Sequence, residues 1–136
     1  MKPDRHNVSY CILLTPEQLE FLSDPLQGTL RCATLLSMVA MANMEEQGHG
    51  DGASIHAGQL SVPIIKLADQ WSVNPKTARK LVERFNEQKL VSTESDPSGS
   101  VHTMLCLSGW IRDGKTIRNP FYRRPVSPLK PADSDE

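Results

Sequence analysis

The spacing of apolar residues between positions 63 and 91 constrains this chain most. Four of them recur at intervals of three and four, which places them on one side of a helix: Ala78, Leu81, Val82 and Phe85. Pro75 suits the first turn of a helix, and Asn74 before it is a good N-cap. The pattern predicts two short helices, residues 63–70 and 75–88, joined by a tight turn.

The opposite side of the second predicted helix carries cations and hydroxyls. It comprises Lys76, Thr77, Arg79, Lys80, Glu83 and Arg84. A short helix that packs on one face and presents cations on the other fits the major groove of DNA. Glu83 would repel phosphate unless it pairs with a neighbour such as Lys80.

A hairpin is expected directly after these helices. Residues 90–94 and 101–107 have strand patterns, and residues 95–100 between them are dense in turn formers. Four glycines make residues 48–59 a loop that could include a brief strand at residues 54–56. His49, Asp51 and His56 in this loop have a spacing that matches no zinc site.

The first part of the chain predicts a short extended run and two helices. A helix-start signal at Thr15-Pro16 opens the first, with Leu19, Leu22 and Leu26 expected to face inward. The second, residues 27–47, is apolar nearly all round, which is typical of a helix buried on most sides. A central core helix explains this pattern, and so does a helix that pairs two copies of the chain in a homodimer.

Charge is unevenly distributed although the net charge is only −1. Residues 1–59 have three basic against seven acidic residues, whereas residues 110–130 have six basic residues against one acid. This asymmetry favours a polyanionic partner for the second half of the chain. Local charge is what neutralises phosphates, so the near-neutral total does not exclude nucleic acid.

Several classes of protein do not fit the sequence. No apolar run reaches membrane-spanning length, and the first residues do not form a signal peptide. The three scattered cysteines indicate free thiols in a reducing cytoplasm. The chain contains no phosphate-binding loop, dinucleotide fingerprint or nucleophile elbow, so we expect no enzyme, cofactor or metal site.

Residues 60–107, which are 48 of the 136, resemble the winged helix-turn-helix family. The predicted order of helices and strands is that of the family. The matching positions are Ala68, Val73, Asn74, Thr77, Ala78, Arg79, Lys80, Val82, Phe85, Leu90 and Val91. Ser72 and Lys89 stand where glycine is common. The stretch is similar to small bacterial transcription regulators and to winged-helix modules of replication-initiation proteins of phages and plasmids.

The resemblance implies that residues 75–88 are a recognition helix for double-stranded DNA. It places these residues at the DNA: Asn74, Lys76, Thr77, Arg79, Lys80 and Arg84. The wing turn has no Lys or Arg and contains Asp96, so the cations after it are expected to supply further phosphate contacts: Arg112, Lys115, Arg118, Arg123 and Arg124. The acidic first half and this wing also favour an alternative, a module that binds protein and not DNA.

Together these observations predict an α+β, mostly helical fold, a winged helix-turn-helix with an N-terminal helical extension and a two-stranded wing. Residues 1–26 would form the extension and residues 27–109 the winged-helix domain. Residues 110–136 would be a basic, proline-rich tail, partly disordered.

Overall fold

The computed structural model describes residues 7–45, 47–48, 54–97 and 99–123. The helices in these residues are α1 (Pro16–Leu22), α2 (Gly28–Met41), α3 (Ile64–Trp71) and α4 (Pro75–Glu87). The strands are β1 (Val8–Ile12), β2 (Gln47–Gly48), β3 (Ser54–Ile55), β4 (Gln59–Ser61), β5 (Val91–Asp96), β6 (Gly99–Met104), β7 (Leu107–Arg112) and β8 (Lys115–Arg118). Helix and strand are roughly balanced, so the α+β class is confirmed but the chain is not mostly helical.

A capping box starts α1 and turns a polar side chain inward. Thr15 Oγ1 accepts a hydrogen bond from the Gln18 amide at 3.1 Å, and Gln18 Oε1 accepts one from the Thr15 amide at 2.9 Å. Gln18 Nε2 also donates to the carbonyl of Gln88 at 2.9 Å. This buried glutamine therefore ties the start of α1 to the end of α4.

The inward face of α1 differs from the one predicted. Leu22 is buried, but Leu19 is 52% exposed and Leu26 is 93% exposed. The capping box sets the rotation of the helix, and the side that faces inward carries Phe21 and Leu22. Leu26 cannot share that face because α1 ends four residues before it.

Helix α2 ends at Met41 and does not continue through the predicted range 27–47. Ala42 is extended, with ψ of 137°. The backbone N–H and the side-chain Nδ2 of Asn43 both donate to the carbonyl of Gln59 at 2.9 Å. The chain leaves the helix at this point because Asn43 is held against the start of β4.

Helices α3 and α4 form the predicted pair with a tight turn. Ser72 adopts the left-handed conformation with φ of 58°, which explains why glycine is common at such a position. The Val73 amide donates to the Ala68 carbonyl at 3.0 Å, and Asn74 Oδ1 accepts from the Thr77 amide at 2.8 Å. The residues predicted to face inward are buried: Ala78, Leu81, Val82 and Phe85.

The predicted hairpin is present, with β5 and β6 in place of residues 90–94 and 101–107. β6 pairs with β4 on its other side, so the sheet order is β4-β6-β5 with antiparallel neighbours. Strand β6 ends earlier than predicted because Leu105 and Cys106 turn away and donate their N–H groups to the carbonyl of Leu90.

A second hairpin occupies residues 107–118, which the sequence assigns in part to a tail. Strand β7 lies between β1 and β8 in an antiparallel sheet, and Trp110 at its centre is fully buried. Asp113 and Gly114 have φ of 53° and 78°, as in a two-residue hairpin turn. The boundary expected between residues 109 and 110 thus falls inside β7.

Asn119 fixes the end of this hairpin to the rest of the molecule. Its Nδ2 donates to the carbonyls of Met104 at 2.9 Å and Leu107 at 2.7 Å, and its Oδ1 accepts from the Phe121 amide at 3.0 Å. Gly58 packs directly on this amide, where a Cβ would collide with it. The expected disorder of the chain end falls on residues 124–136, outside the described part of the chain.

One hydrophobic core joins the two three-stranded sheets, β1-β7-β8 and β4-β6-β5, to the helices. It includes Leu22, Leu35, Met38, Leu60, Leu67, Phe85, Met104, Leu107 and Trp110. None of the helices in the described ranges has the length and apolarity needed to cross a membrane.

Candidate nucleic-acid interface

The outward face of α4 carries a group of exposed cations near its N-terminus. Lys76, Arg79 and Lys80 are exposed, and their spacing of three and four places them side by side over the first two turns. Thr77 lies beside them and is half-buried. We call Lys76, Arg79 and Lys80 together the α4 patch. Within the described residues, none of the three has a carboxylate within 4.0 Å.

Farther along α4, a neighbouring acid partly offsets the charge. Arg84 Nη1 lies 3.4 Å from Glu87 Oε1, and the two side chains are 55% and 65% exposed. Such an exposed pair contributes about 0–1 kcal/mol, so Arg84 can exchange Glu87 for a phosphate at little cost. Glu83 and Lys80 form no ion pair, so the repulsion of phosphate that the sequence predicts for an unpaired Glu83 applies.

The cap residue has a structural role that the sequence predicts. Asn74 Oδ1 accepts the Thr77 amide, as the N-cap of a helix does. Pro75 has no N–H, and the Ala78 amide donates to the Asn74 carbonyl. Among the described residues, only the Lys76 amide of the first turn therefore has no acceptor. This amide and the positive end of the helix dipole lie beside the α4 patch. Asn74 therefore contributes to this site as the cap of the helix N-terminus.

The cations of the second hairpin do not form one continuous surface. Arg112 Nη2 makes an ion pair with Glu45 Oε2 at 3.2 Å. Arg112 faces Lys115 across the strands, whereas Arg118 faces Gly109. Side chains alternate along a strand, so Lys115 and Arg118, three residues apart, lie on opposite faces of the sheet. The side chain of Arg123 bonds the carbonyls of Pro120 and Tyr122, and Arg124 lies outside the described residues.

The hairpin β5–β6 has an acidic outer end. Glu94 and Asp96 are exposed, and residues 91–104 contain no Lys or Arg. Asp96 Oδ1 accepts a hydrogen bond from the Gly99 amide at 3.1 Å, which closes the turn. Two carboxylates at this position would repel phosphate, so this hairpin does not add to a DNA surface.

A buried hydrogen-bond network at the base of this hairpin was not predicted from the sequence. His102 is fully buried between Thr93 Oγ1 at 2.9 Å and the Val62 carbonyl at 2.8 Å. Asn86 of α4 bonds both the amide and the hydroxyl of Thr93. A phosphate cannot reach this imidazole. The alternation of residues 101–107 marked a strand but did not reveal which of its sides was buried.

Neither tryptophan offers a platform for stacking bases. Trp110 is fully buried, and its Nε1 has no hydrogen-bond partner among the described residues. Trp71 is half-buried and donates from Nε1 to Ser37 Oγ at 2.7 Å, which links α3 to α2. Both therefore belong to the core or its edge.

The other residue types that bear chemistry are dispersed. No group of three potential metal ligands occurs among the residues that the structure describes. The ring centroids of His56 and Phe121 lie 5.9 Å apart. His49 and Asp51 fall outside the described residues. All three cysteines are free, and burial raises the pKa of the Cys106 thiol to about 11, which keeps it protonated at neutral pH.

Comparison of the chain with protein-family models, curated proteins and solved structures found no significant match.

Proposed function

We propose that this protein binds double-stranded DNA in a sequence-specific manner, as a winged helix-turn-helix protein whose recognition helix is α4. With the two-residue strands β2 and β3 left aside, the order α2, β4, α3, α4, β5, β6 supports this assignment, and so does the sheet order β4-β6-β5. The observation that carries the proposal is the α4 patch, which is exposed, has no carboxylate partner among the described residues, and lies on a helix whose opposite face is buried. The patch matches what the major groove accepts.

Each residue of the patch has a distinct part in this proposal. Arg79 can pair with the O6 and N7 atoms of guanine, a contact worth about 1–3 kcal/mol of discrimination. Lys76 and Lys80 neutralise phosphates, and the Lys76 amide at the positive end of the helix dipole can donate to one of them. Arg84 adds a contact if it leaves Glu87, whereas Arg112, Lys115 and Arg118 contribute as separate, weaker contacts.

The proposed role is that of a small transcription regulator or of a replication-initiation protein of a mobile element, acting in the cytoplasm. Both roles need a small domain that reads a short DNA site, and the α4 patch serves either. Catalysis is not part of this proposal, because the described histidines, cysteines and acids are dispersed.

Fluorescence anisotropy with a mixed-sequence duplex at low salt tests the proposal. We expect saturable binding at micromolar protein or below, which weakens steeply as salt is added because counterions are released from the DNA. Selection from a random duplex pool should then enrich a common sequence. The absence of binding at micromolar protein and low salt would refute DNA binding.

A protein-binding module is the second candidate function. The acidic end of the hairpin β5–β6 favours it, because Glu94 and Asp96 would oppose a phosphate backbone but suit a basic protein surface. Under this alternative, a pull-down would return a protein partner, and charge reversal at Glu94 would abolish the interaction while duplex DNA showed no binding.

The proposed partner for α2 is a second copy of the chain. Its outward side carries no charged residue and consists of Thr29, Leu30, Ala33, Leu36 and Ala40. Arg31, the charged residue of this helix, is turned away and lies 4.0 Å above the Phe21 ring. Leu36 lies between Ala33 and Ala40, so two antiparallel copies can each seat this leucine beside small residues. A dimer would present two α4 patches to one DNA site.

Leu36→Glu is expected to raise the dimer dissociation constant by on the order of 100-fold, because a charge enters an apolar contact twice in the symmetric dimer. Light scattering across a concentration series measures the mass. Leu13→Glu is the matched control, since Leu13 is also 53% exposed but lies outside α2. A monomeric mass for the unmodified protein, or equal effects of the two variants, would refute pairing through α2.

A further inference from the structure

The buried histidine of strand β6 has a hydrogen-bonding state that its neighbours determine. A carbonyl only accepts, so the Val62 oxygen requires a proton on His102 Nε2, 2.8 Å away. In a neutral ring, Nδ1 then has only a lone pair and accepts from the hydroxyl of Thr93 at 2.9 Å. His102 is therefore held as one neutral tautomer.

The network continues into α4, where Asn86 donates to the Thr93 hydroxyl that in turn donates to His102. Asn86 Nδ2 donates to the Val82 carbonyl at 2.8 Å and to Thr93 Oγ1 at 3.1 Å, while Asn86 Oδ1 accepts the Thr93 amide at 2.8 Å. The carbonyl and the amide fix the orientation of the Asn86 side chain. Every side-chain donor of His102, Thr93 and Asn86 in this network has an acceptor. The network joins α4, the hairpin β5–β6 and the segment before α3.

We propose that His102 is a pH-sensitive clasp, which holds the base of the hairpin β5–β6 against α4 at neutral pH and releases it in mild acid. The hairpin β5–β6 is held against α4, the proposed DNA-binding helix. An effect of hairpin opening on DNA affinity therefore rests on the proposed function, whereas the opening itself does not.

A second proton on His102 costs the closed network the hydrogen bond from the Thr93 hydroxyl to Nδ1. Nδ1–H would have to donate to Thr93 Oγ1, which already accepts from Asn86 and would have to turn its own proton elsewhere. The groups that face the ring are Leu60 on β4, Thr93 on β5 and Asn86 on α4, and none is ionisable. Glu94, the next residue on β5, points to the other face of the sheet. No described carboxylate thus offsets the charge.

The direction of the pH effect follows from burial. Burial lowers the pKa of His102 from its usual 6.5, and the hydrogen bond to Val62 opposes this only in part. Above pH 6.5 the ring is neutral whether the hairpin is closed or open, so the clasp is intact. Between pH 6.5 and the lowered pKa of the closed form, the open form takes up a proton and the closed form does not, which favours opening by up to about tenfold per pH unit.

Hydrogen exchange of the full chain, followed by nuclear magnetic resonance, tests the clasp. The protection factor of the Thr93 amide, corrected for intrinsic exchange, should fall by up to about tenfold per pH unit below 6.5, until the pH reaches the lowered pKa of the closed form. The amide of Met38 in α2 should keep its protection. An equal loss at Met38 would mean unfolding of the whole domain and would overturn a local clasp. Titration of the His102 ring with a pKa at or above 6.5 would also overturn it.

His102→Gln removes the titration and keeps a donor for the Val62 carbonyl, so the pH dependence at Thr93 should disappear. His56→Gln is the matched control, which should retain that dependence. Anisotropy with duplex DNA at about pH 7 and about pH 5 should show acid weakening in the His56 variant but not in the His102 variant. If neither binds DNA at neutral pH, the DNA function fails, and the exchange measurement still decides the clasp.

Discussion

Replacing Lys76 and Arg79 together by alanine is expected to weaken duplex DNA binding by on the order of 10- to 100-fold. Under the proposed function, the change removes one guanine contact and one phosphate contact that the α4 patch would make. The slope of the logarithm of the affinity against the logarithm of salt concentration should fall by about 0.9 for each phosphate that the variant no longer neutralises. Anisotropy titrations at several salt concentrations measure both. Alanine favours helix and both side chains are exposed, so α4 should remain folded.

Lys89→Gly is the charge control for this experiment. Lys89 follows the C-terminal end of α4 and has φ of 61°, a conformation that glycine adopts without strain. The substitution removes a cation at the far end of the helix, so DNA affinity should change by no more than about twofold. If Lys89→Gly weakened binding as much as the double substitution, net charge and not the α4 patch would be responsible. An unchanged affinity in the double variant would exclude α4 as the reader.

The helices of the candidate site could be predicted because their information is local. The apolar spacing of α4 records which side is buried, and Asn74-Pro75 records where the helix starts. These signals survive in a single sequence because each residue acts on neighbours three or four positions away. The exposure of Lys76, Arg79 and Lys80 then follows from the helical period.

Interactions between distant segments could not be predicted in the same way. The pair formed by Arg112 and Glu45 joins residues 67 positions apart, and the bond between Gln18 and Gln88 spans 70 positions. Topology, and not local spacing, brings such residues together. For this reason Arg112 was expected to be available to phosphate, although it already has a carboxylate partner.

The sequence contains a local turn signal for the second hairpin, but the amino-acid composition around it favoured a tail. Asp113-Gly114 is a preferred two-residue turn, and strand-forming residues flank it. The prolines and cations that follow favoured a tail instead. The partner strand β1 lies about 100 residues earlier in the chain, with Tyr10 opposite Trp110, and no pattern within residues 110–118 could have indicated it.

Asn119→Ala is expected to lower the free energy of unfolding by about 2–4 kcal/mol, because the buried carbonyls of Met104 and Leu107 each lose a hydrogen-bond donor. Urea unfolding followed by circular dichroism measures this decrease. Asn119→Asp should destabilise the chain at least as much, although it keeps the volume. In that variant, an oxygen replaces Nδ2 and faces both carbonyls, so the comparison separates the missing hydrogen bonds from a cavity.

Thr116→Ala is the control for the hairpin, since Thr116 is exposed on β8 and should change stability by no more than about 0.5 kcal/mol. If Asn119→Ala lowers the free energy of unfolding by the expected amount and Thr116→Ala leaves it unchanged, β7 and β8 fold with the core and are not an appended tail. An equally small change in Asn119→Ala would contradict the anchor. The three cations of this hairpin would then belong to a loosely attached segment that is free to follow a DNA backbone.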